Sequence, residues 1–387
     1  MAKNPFQYGS ELGAEQLIDR QSEVAEVVDT IKESGKLFLI GPRRYGKTSI
    51  LAAAQQKAEV DGAVVLRFDA EAFPSIEALV KTALAQATEK LGGGITKASD
   101  SIRQFFKSLK PQINYSLTDQ TISAEIGVAT DPTNQPEQIP LLVDLLHGIE
   151  QLAIKSKTPV GFIIDEFQQI IVAGGEQSEA QIRAAIQQHK HIGYIFAGSK
   201  TRLLADMTGN PSRPFYHLGE RRFITEIPRA DFSPALKANF AVGKIKASDE
   251  AIELIQDLAE DVPYNVQRLA HACWDRTNGE VKKLTEEQVQ QSLEFLLKED
   301  DTWYTQLWNQ LTTIQKTALI HSIKANGTGL QSKGVLRAAS ISSSSMQRAL
   351  QALQEKEILR LEEKLGEVRL RLIDPFFSHW LRLIGVL

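Results

Sequence analysis

Eight residues, Gly41-Pro-Arg-Arg-Tyr-Gly-Lys-Thr48, fit the pattern G-x-x-x-x-G-K-[ST] without a mismatch. That spacing suits the cradling of a phosphate chain. Gly41 and Gly46 let the backbone turn tightly, so that successive N–H groups point at phosphate oxygens. The helix expected to follow adds its positive N-terminal end. Lys47 is expected to reach the β- and γ-phosphates as a point charge, and the Thr48 hydroxyl to ligate Mg2+. The whole stretch Gly41, Pro42, Arg43, Arg44, Tyr45, Gly46, Lys47, Thr48 and Ser49 is expected to line a bound nucleotide.

A second run, Pro159-Val-Gly-Phe-Ile-Ile-Asp165-Glu166, is apolar and ends in two acids. Asp165 suits Mg2+, held through a water. Glu166 suits the orientation and deprotonation of an attacking water. Ser199 ends the next apolar run, Ile195-Phe-Ala-Gly-Ser199. Two roles stand for it: contact with the γ-phosphate or the water, and the N-cap of a helix starting at Lys200. Arg221 and Arg222 precede the last core run. Either suits a charge-stabilising arginine, acting on its own chain or on a neighbouring copy, and both also suit a plain surface.

These residues need a scaffold that brings strand ends together. Apolar runs at Leu37–Ile40, Val64–Phe68, Val160–Ile164, Ile192–Ala197 and Phe223–Ile227 alternate with helical patterns such as Ile76–Lys90 and Leu141–Lys155. Near-continuous apolar strands with helical crossovers predict an α/β fold with a parallel sheet covered on both faces. The pattern of residues 113–128 alternates about Thr118-Asp-Gln120 and predicts an inserted β-hairpin at about 111–130. Gly92-Gly-Gly94 reads as a break, and Asp131–Pro136 as a loop. Residues 247–311 read as helical throughout. Residues 313–373 read as three helices and a hairpin, the order of a winged helix.

Bulk properties set bounds. The 387 residues suit two or three domains, and the net charge of −4 points to neither nucleic acid nor an acidic partner. The charge is uneven: residues 313–387 carry 11 Lys/Arg against 6 Asp/Glu, a net of +5. The single cysteine, Cys273, excludes an internal disulfide framework and any Cys-based zinc cluster. No run of apolar residues is long enough for a transmembrane helix, and the first residues lack an apolar signal region. A cytoplasmic protein without membrane contact is the expectation.

Gly41-Pro-Arg-Arg-Tyr-Gly-Lys-Thr-Ser49 closely resembles the phosphate loop of the archaeal-type ATPase family, in the STAND and AAA+ region of P-loop NTPases. Phe162–Gln168 resembles the family's Walker B strand, and Ala197-Gly-Ser199 its sensor strand. Leu17-Ile-Asp-Arg20 with Glu23 is similar to its adenine-side segment, with Ile18 in the usual Phe place. Val262-Pro263-Tyr264 sits where the family has a Gly-x-Pro turn, with Asp261 replacing the glycine. The tail Ile373–Trp380 resembles its closing segment. The resemblance implies a three-layer core of sheet order 5-1-4-3-2 over residues 1–245, a helical lid over 246–311 and a winged helix over 312–387. It also implies ATP/ADP as the nucleotide and contacts from Ile18, Arg20 and Pro263 on the adenine side. The chain has no Asn-Lys-x-Asp guanine-reading motif, in agreement with ATP.

Three functions then stand open. ATP binding and slow hydrolysis switch the lid and winged helix, read out by a protein partner. Or the protein is a DNA-acting ATPase that docks double-stranded DNA through residues 313–373. Or it binds nucleotide as a scaffold with little turnover. An arginine acting in trans would make it an oligomer.

Overall fold

The computed structural model describes residues 3–91, 113–118, 121–126, 138–175, 177–277, 282–364 and 366–387. The chain divides into two compact units, Glu11–Thr225 and Met1–Ser10 with Glu226–Leu387.

The first unit runs α1 (Gln21–Lys32), β1 (Lys36–Ile40), α2 (Lys47–Val60), β2 (Val64–Asp69), α3 (Ile76–Leu91), β3 (Ile113–Thr118) and β4 (Thr121–Ile126). It continues with α4 (Ile139–Ser156), β5 (Val160–Asp165), α5 (Gln168–Gly174), α6 (Ser178–Ile186), β6 (Ile192–Gly198), α7 (Thr201–Gly209) and β7 (Glu220–Phe223). Five strands form one sheet in the order β2-β5-β6-β1-β7, with every neighbouring pair parallel. Counted along the chain, these strands read 2-3-4-1-5, the expected order taken from the other edge. The central strands β5 and β6 are buried at every residue, which is why their sequences show no alternation. On one face Phe38, Phe162, Ile164, Tyr194 and Phe196 pack with Leu79 of α3 and Leu142, Leu145 and Ile149 of α4.

β3 and β4 pair antiparallel, from Ile113 opposite Ile126 to Thr118 opposite Thr121, which is the hairpin the alternation predicts. Its turn, the break at 92–94 and the loop at 131–136 lie outside the described residues. The last core strand differs from expectation. It spans Glu220–Phe223 rather than Phe223–Ile227, so Arg221 and Arg222 lie within it. Its ladder on β1 runs from Leu37 opposite Glu220 to Ile40 opposite Phe223, and the Ile224 amide closes it on the Ile40 carbonyl at 2.7 Å.

The second unit contains α8 (Arg229–Val242), β8 (Lys246–Ala247), α9 (Asp249–Leu258), α10 (Pro263–Thr277), β9 (Lys283–Leu284), α11 (Glu286–Glu299) and α12 (Asp301–Asn309). Then come α13 (Thr313–Lys324), α14 (Lys333–Ala339), α15 (Ser343–Glu355), β10 (Leu359–Lys364), β11 (Glu367–Leu372) and α16 (Phe376–Leu383). Residues 226–245, placed with the core by sequence, cluster here instead. The reason is aromatic packing: Phe240 lies 4.5 Å from the Phe6 ring and 6.4 Å from Trp274, and Phe6 and Phe240 are fully buried. Among the described residues, 248–311 are mostly helical, and β9 pairs parallel with β8. β10 and β11 form the antiparallel hairpin after three helices. No helix among the described residues is long and apolar enough to cross a membrane.

Candidate functional site

The phosphate-loop residues span the turn between β1 and α2. Gly46 caps α2 with φ 90°, a left-handed value that disfavours any side chain, and nothing lies within 4 Å of where its Cβ would be. Gly41 is required for a different reason. A Cβ there would meet the Ile224 carbonyl oxygen at 2.7 Å, so this glycine lets the chain leaving β7 pass close by. Lys47 opens α2, is 5% exposed, and donates from Nζ to the Pro42 carbonyl at 3.1 Å. Burial pushes its ammonium pKa down, and Glu166 and Asp165 oppose that. The loop residue Arg43 pairs with Glu71 at 2.9 Å, and Tyr45 is buried. Ser49 Oγ accepts from the Leu12 amide at 3.1 Å and so faces the segment before α1.

The two acids sit where the sequence places them, at the carboxyl end of β5. The Thr48 hydroxyl donates to Asp165 Oδ2 at 2.7 Å, so the hydroxyl and carboxylate expected to share a cation are already adjacent. Asp165 Oδ1 accepts the Glu166 amide at 2.9 Å. Glu166 has φ 48°, a strained value for a side chain of this size. Its Oε2 accepts the Ser199 hydroxyl at 2.7 Å, the Ser199 amide at 3.2 Å and the Gln168 amide nitrogen. Burial would raise its carboxyl pKa, but Lys47 and these donors hold it below the usual range. Ser199 is not the cap of α7. Lys200 holds that position, without a side-chain hydrogen bond, while the Ser199 hydroxyl is on Glu166.

The remaining predicted residues have clear places. Arg20 is 5% exposed and donates to the Thr225 carbonyl at 2.6 Å and to Glu23 at 3.2 Å, clamping the start of α1 to the chain after β7. Ile18 is half-buried just before it. Arg222 pairs with Glu26 of α1. Arg221 is exposed on the same edge strand, with its guanidinium beside Gly209. Pro263 opens α10 in the second unit, and the residues before it, Glu260 and Asp261, both have left-handed φ. Asp261 thus takes up the backbone conformation that suits a glycine, while its carboxylate binds Arg229 at 2.7 Å.

Two further residues belong to the site. Asp69 ends β2 directly opposite Asp165 in the ladder. Burial raises its carboxyl pKa, and Asp165 and Glu166 add to that. Its signal was in the sequence, as the acid ending a second apolar run. Gln168 is buried against Glu166, and no spacing marks it out from other glutamines. The candidate cation donors are one hydroxyl and one carboxylate, Thr48 and Asp165. Hard oxygen donors beside a surplus of carboxylates fit Mg2+. No group of three or more His, Cys, Asp or Glu among the described residues is arranged to hold a metal by itself.

No family model matches the chain, and no curated protein matches it significantly. Solved structures do. The Walker-type ATPase of Pyrococcus abyssi aligns with a TM-score of 0.59 at 15% identity, covering 98% of this chain and 99% of that one. The ORC2 protein of Aeropyrum pernix, in its ADPNP-ADP complexes, aligns with a TM-score of 0.56 at 12% identity, over 99% and 96%. At such identities the likeness establishes the fold. This chain has the three-layer α/β fold of the P-loop NTPases, with the strand order that the resemblance implied.

Proposed function

We propose that this protein binds ATP with Mg2+ and hydrolyses it slowly, as a molecular switch of the STAND/AAA+ type. The observation that carries the reading is the convergence of Lys47, Thr48, Asp165, Glu166 and Ser199 at one end of the parallel sheet. Thr48 and Asp165 are the residues that would hold Mg2+, whose charge stabilises the phosphates. Lys47 exchanges the Pro42 carbonyl for phosphate oxygens. The loop from Gly41 to Ser49 wraps the phosphates, with Pro42, Arg43, Arg44 and Tyr45 at its outer turn. Glu166 takes the proton of the attacking water, and Ser199 fixes its carboxylate. Arg221 or Arg222 neutralises transferred charge, in cis or in trans, Arg222 after leaving Glu26. Ile18, Arg20 and Pro263 serve the adenine side, Arg20 by anchoring the segment rather than by reaching the base. The nucleotide state is read through a helical lid at 246–311 and a winged helix at 312–387, by a protein partner in the cytoplasm, where ATP and Mg2+ abound.

A second reading, a DNA-acting ATPase, is favoured by the three-helix and hairpin order of residues 313–372 and by the net +5 of residues 313–387. Against it, Arg360, Arg369 and Arg371 are committed to Glu362 inside their own unit.

The test is ATP hydrolysis by the pure protein, with and without mixed-sequence duplex DNA, at two salt concentrations. Slow turnover that ignores DNA supports the switch. Stimulation that fades with salt supports the DNA reading. Tight ATP binding without turnover supports the scaffold reading. Glu166→Gln is expected to keep ATP bound and lose at least about 100-fold in turnover; turnover that survives the change removes Glu166 as the base.

A further inference from the structure

Gln168 starts α5, two residues after Glu166, and is 1% exposed. Its amide nitrogen donates to Glu166 Oε2. An ionised carboxylate only accepts, so the amide must turn its nitrogen, not its oxygen, to Glu166. The amide oxygen is then left buried with no hydrogen-bond partner. A buried orphan acceptor is costly, and its persistence calls for a reason. Capping is not that reason: Phe167 holds the cap position of α5, and no side chain caps it. The sheet also makes room for this amide. A Cβ on Gly198 would lie 2.0 Å from Gln168 Oε1.

We infer that Gln168 is a positioning residue for hydrolysis, holding the Glu166 carboxylate so that Oε1 alone is left to take a proton from water. The inference rests on the reading of Glu166 as the base. Three donors, Gln168 Nε2, Ser199 N and Ser199 Oγ, all meet on Oε2. They pin one oxygen from two sides and fix the rotation of the carboxylate plane. Gln168 therefore acts through Glu166 and need not touch the nucleotide.

The test is steady-state ATP hydrolysis over a range of ATP concentrations, which separates kcat from KM, for wild type, Gln168→Leu, Gln168→Glu and Glu166→Gln. Gln168→Leu removes the donor at nearly constant volume. It is expected to lower kcat about tenfold and leave KM for ATP within about twofold. Gln168→Glu keeps the shape but sets an acceptor where the donor stood, turning the Glu166 carboxylate away, so its kcat should fall further at nearly the same KM. The second variant keeps the inference open to test if the leucine protein folds poorly. A kcat that stays near the wild-type value in both variants overturns the inference, as does a loss that falls on KM for ATP instead of on kcat. Turnover retained by Glu166→Gln would instead overturn the base assignment itself, so the two failures read differently.

Discussion

The chain holds two charge clusters built with opposite balance. At the carboxyl end of the sheet, one buried ammonium, Lys47, stands by Asp165 and Glu166, with Asp69 beside them. In the second unit one carboxylate, Glu362, is held by three guanidiniums: Arg360 at 3.1 Å, Arg369 at 2.6 Å and Arg371 at 2.9 Å. Arg371 also grips Glu260 at 2.8 Å. The first cluster has more negative charge than its protein partners neutralise, and its cation leans on a backbone carbonyl. The second is paired throughout. Both perturb pKa values, so perturbation alone does not separate a reacting site from a structural joint. The sign of the unmatched charge does: the surplus of carboxylate at the sheet end suits a bound cation.

The joint has consequences of its own. Asp374 is buried and accepts from Asn265 at 2.9 Å and from the Tyr304 hydroxyl at 3.2 Å. His379 meets the Leu258 carbonyl at 3.0 Å, and the Trp380 indole donates to Asp301 at 2.9 Å. With Arg371 on Glu260, every one of these bonds ties the stretch from Arg371 to Trp380 to α9–α12 or the turn between α9 and α10. The proposed lid and winged helix therefore cannot rearrange against each other without breaking a buried polar network. A switch built on this unit moves it as a piece.

The sharpest way to break the comparison is Lys47→Ala. If the first cluster exists to hold phosphate, ATP affinity should fall at least about 100-fold, close to 3 kcal/mol, measured by anisotropy of a labelled nucleotide. Thermal stability should hold or rise, since burial already disfavours this ammonium. Undiminished affinity would sink the phosphate-loop reading. Arg371→Met is the matching change in the other cluster. It keeps volume but leaves Glu260 and part of Glu362 unpaired, with Arg371 only 11% exposed. Calorimetry should show a loss of about 3 kcal/mol in the second unit's transition, with ATP binding intact. A transition that stays in place would mean the cluster is not a joint.

The two clusters were not equally legible in the sequence. The first announces itself because phosphate chemistry fixes residue types at fixed spacing, so Lys47, Thr48, Asp165 and Glu166 could be named before any coordinates. The parallel sheet was legible for a related reason: β5 and β6 are apolar on both faces. Gln168 and Arg371 were not legible. Their partners lie on other turns or other elements, and only packing brings them together. Arg20 shows a third case: the resemblance implies an adenine-side residue, and its contacts are those of a structural clamp. The arginines at 360, 369 and 371 are among the 11 Lys/Arg that give residues 313–387 their net of +5. Folding spends them on acids, which net charge along a sequence cannot reveal.

The smallest effect gives the finest separation, because acid should act on the two clusters in opposite directions. For Glu362, burial would raise the carboxyl pKa, but Arg371 and Arg360 more than offset it and hold the group below its ordinary value. A folded-state pKa that is depressed contributes stability above the unfolded pKa of about 4.3, and that stability is lost as pH falls through the folded value. Asp69 is the reverse. Its pKa is raised, so its ionised form opposes folding at neutral pH, and the opposition is relieved as pH falls toward its unfolded value of about 3.9. At neutral pH, Glu362→Gln should lower the melting temperature. Asp69→Asn should raise it slightly, since asparagine keeps the acceptor that Asp69 Oδ1 offers to the Glu71 amide at 2.9 Å. Melting curves of both variants at neutral pH and at about pH 4 decide the matter. Shifts of the same sign at neutral pH would show that the two clusters are held alike, and the contrast in charge balance would then say nothing about which of them reacts.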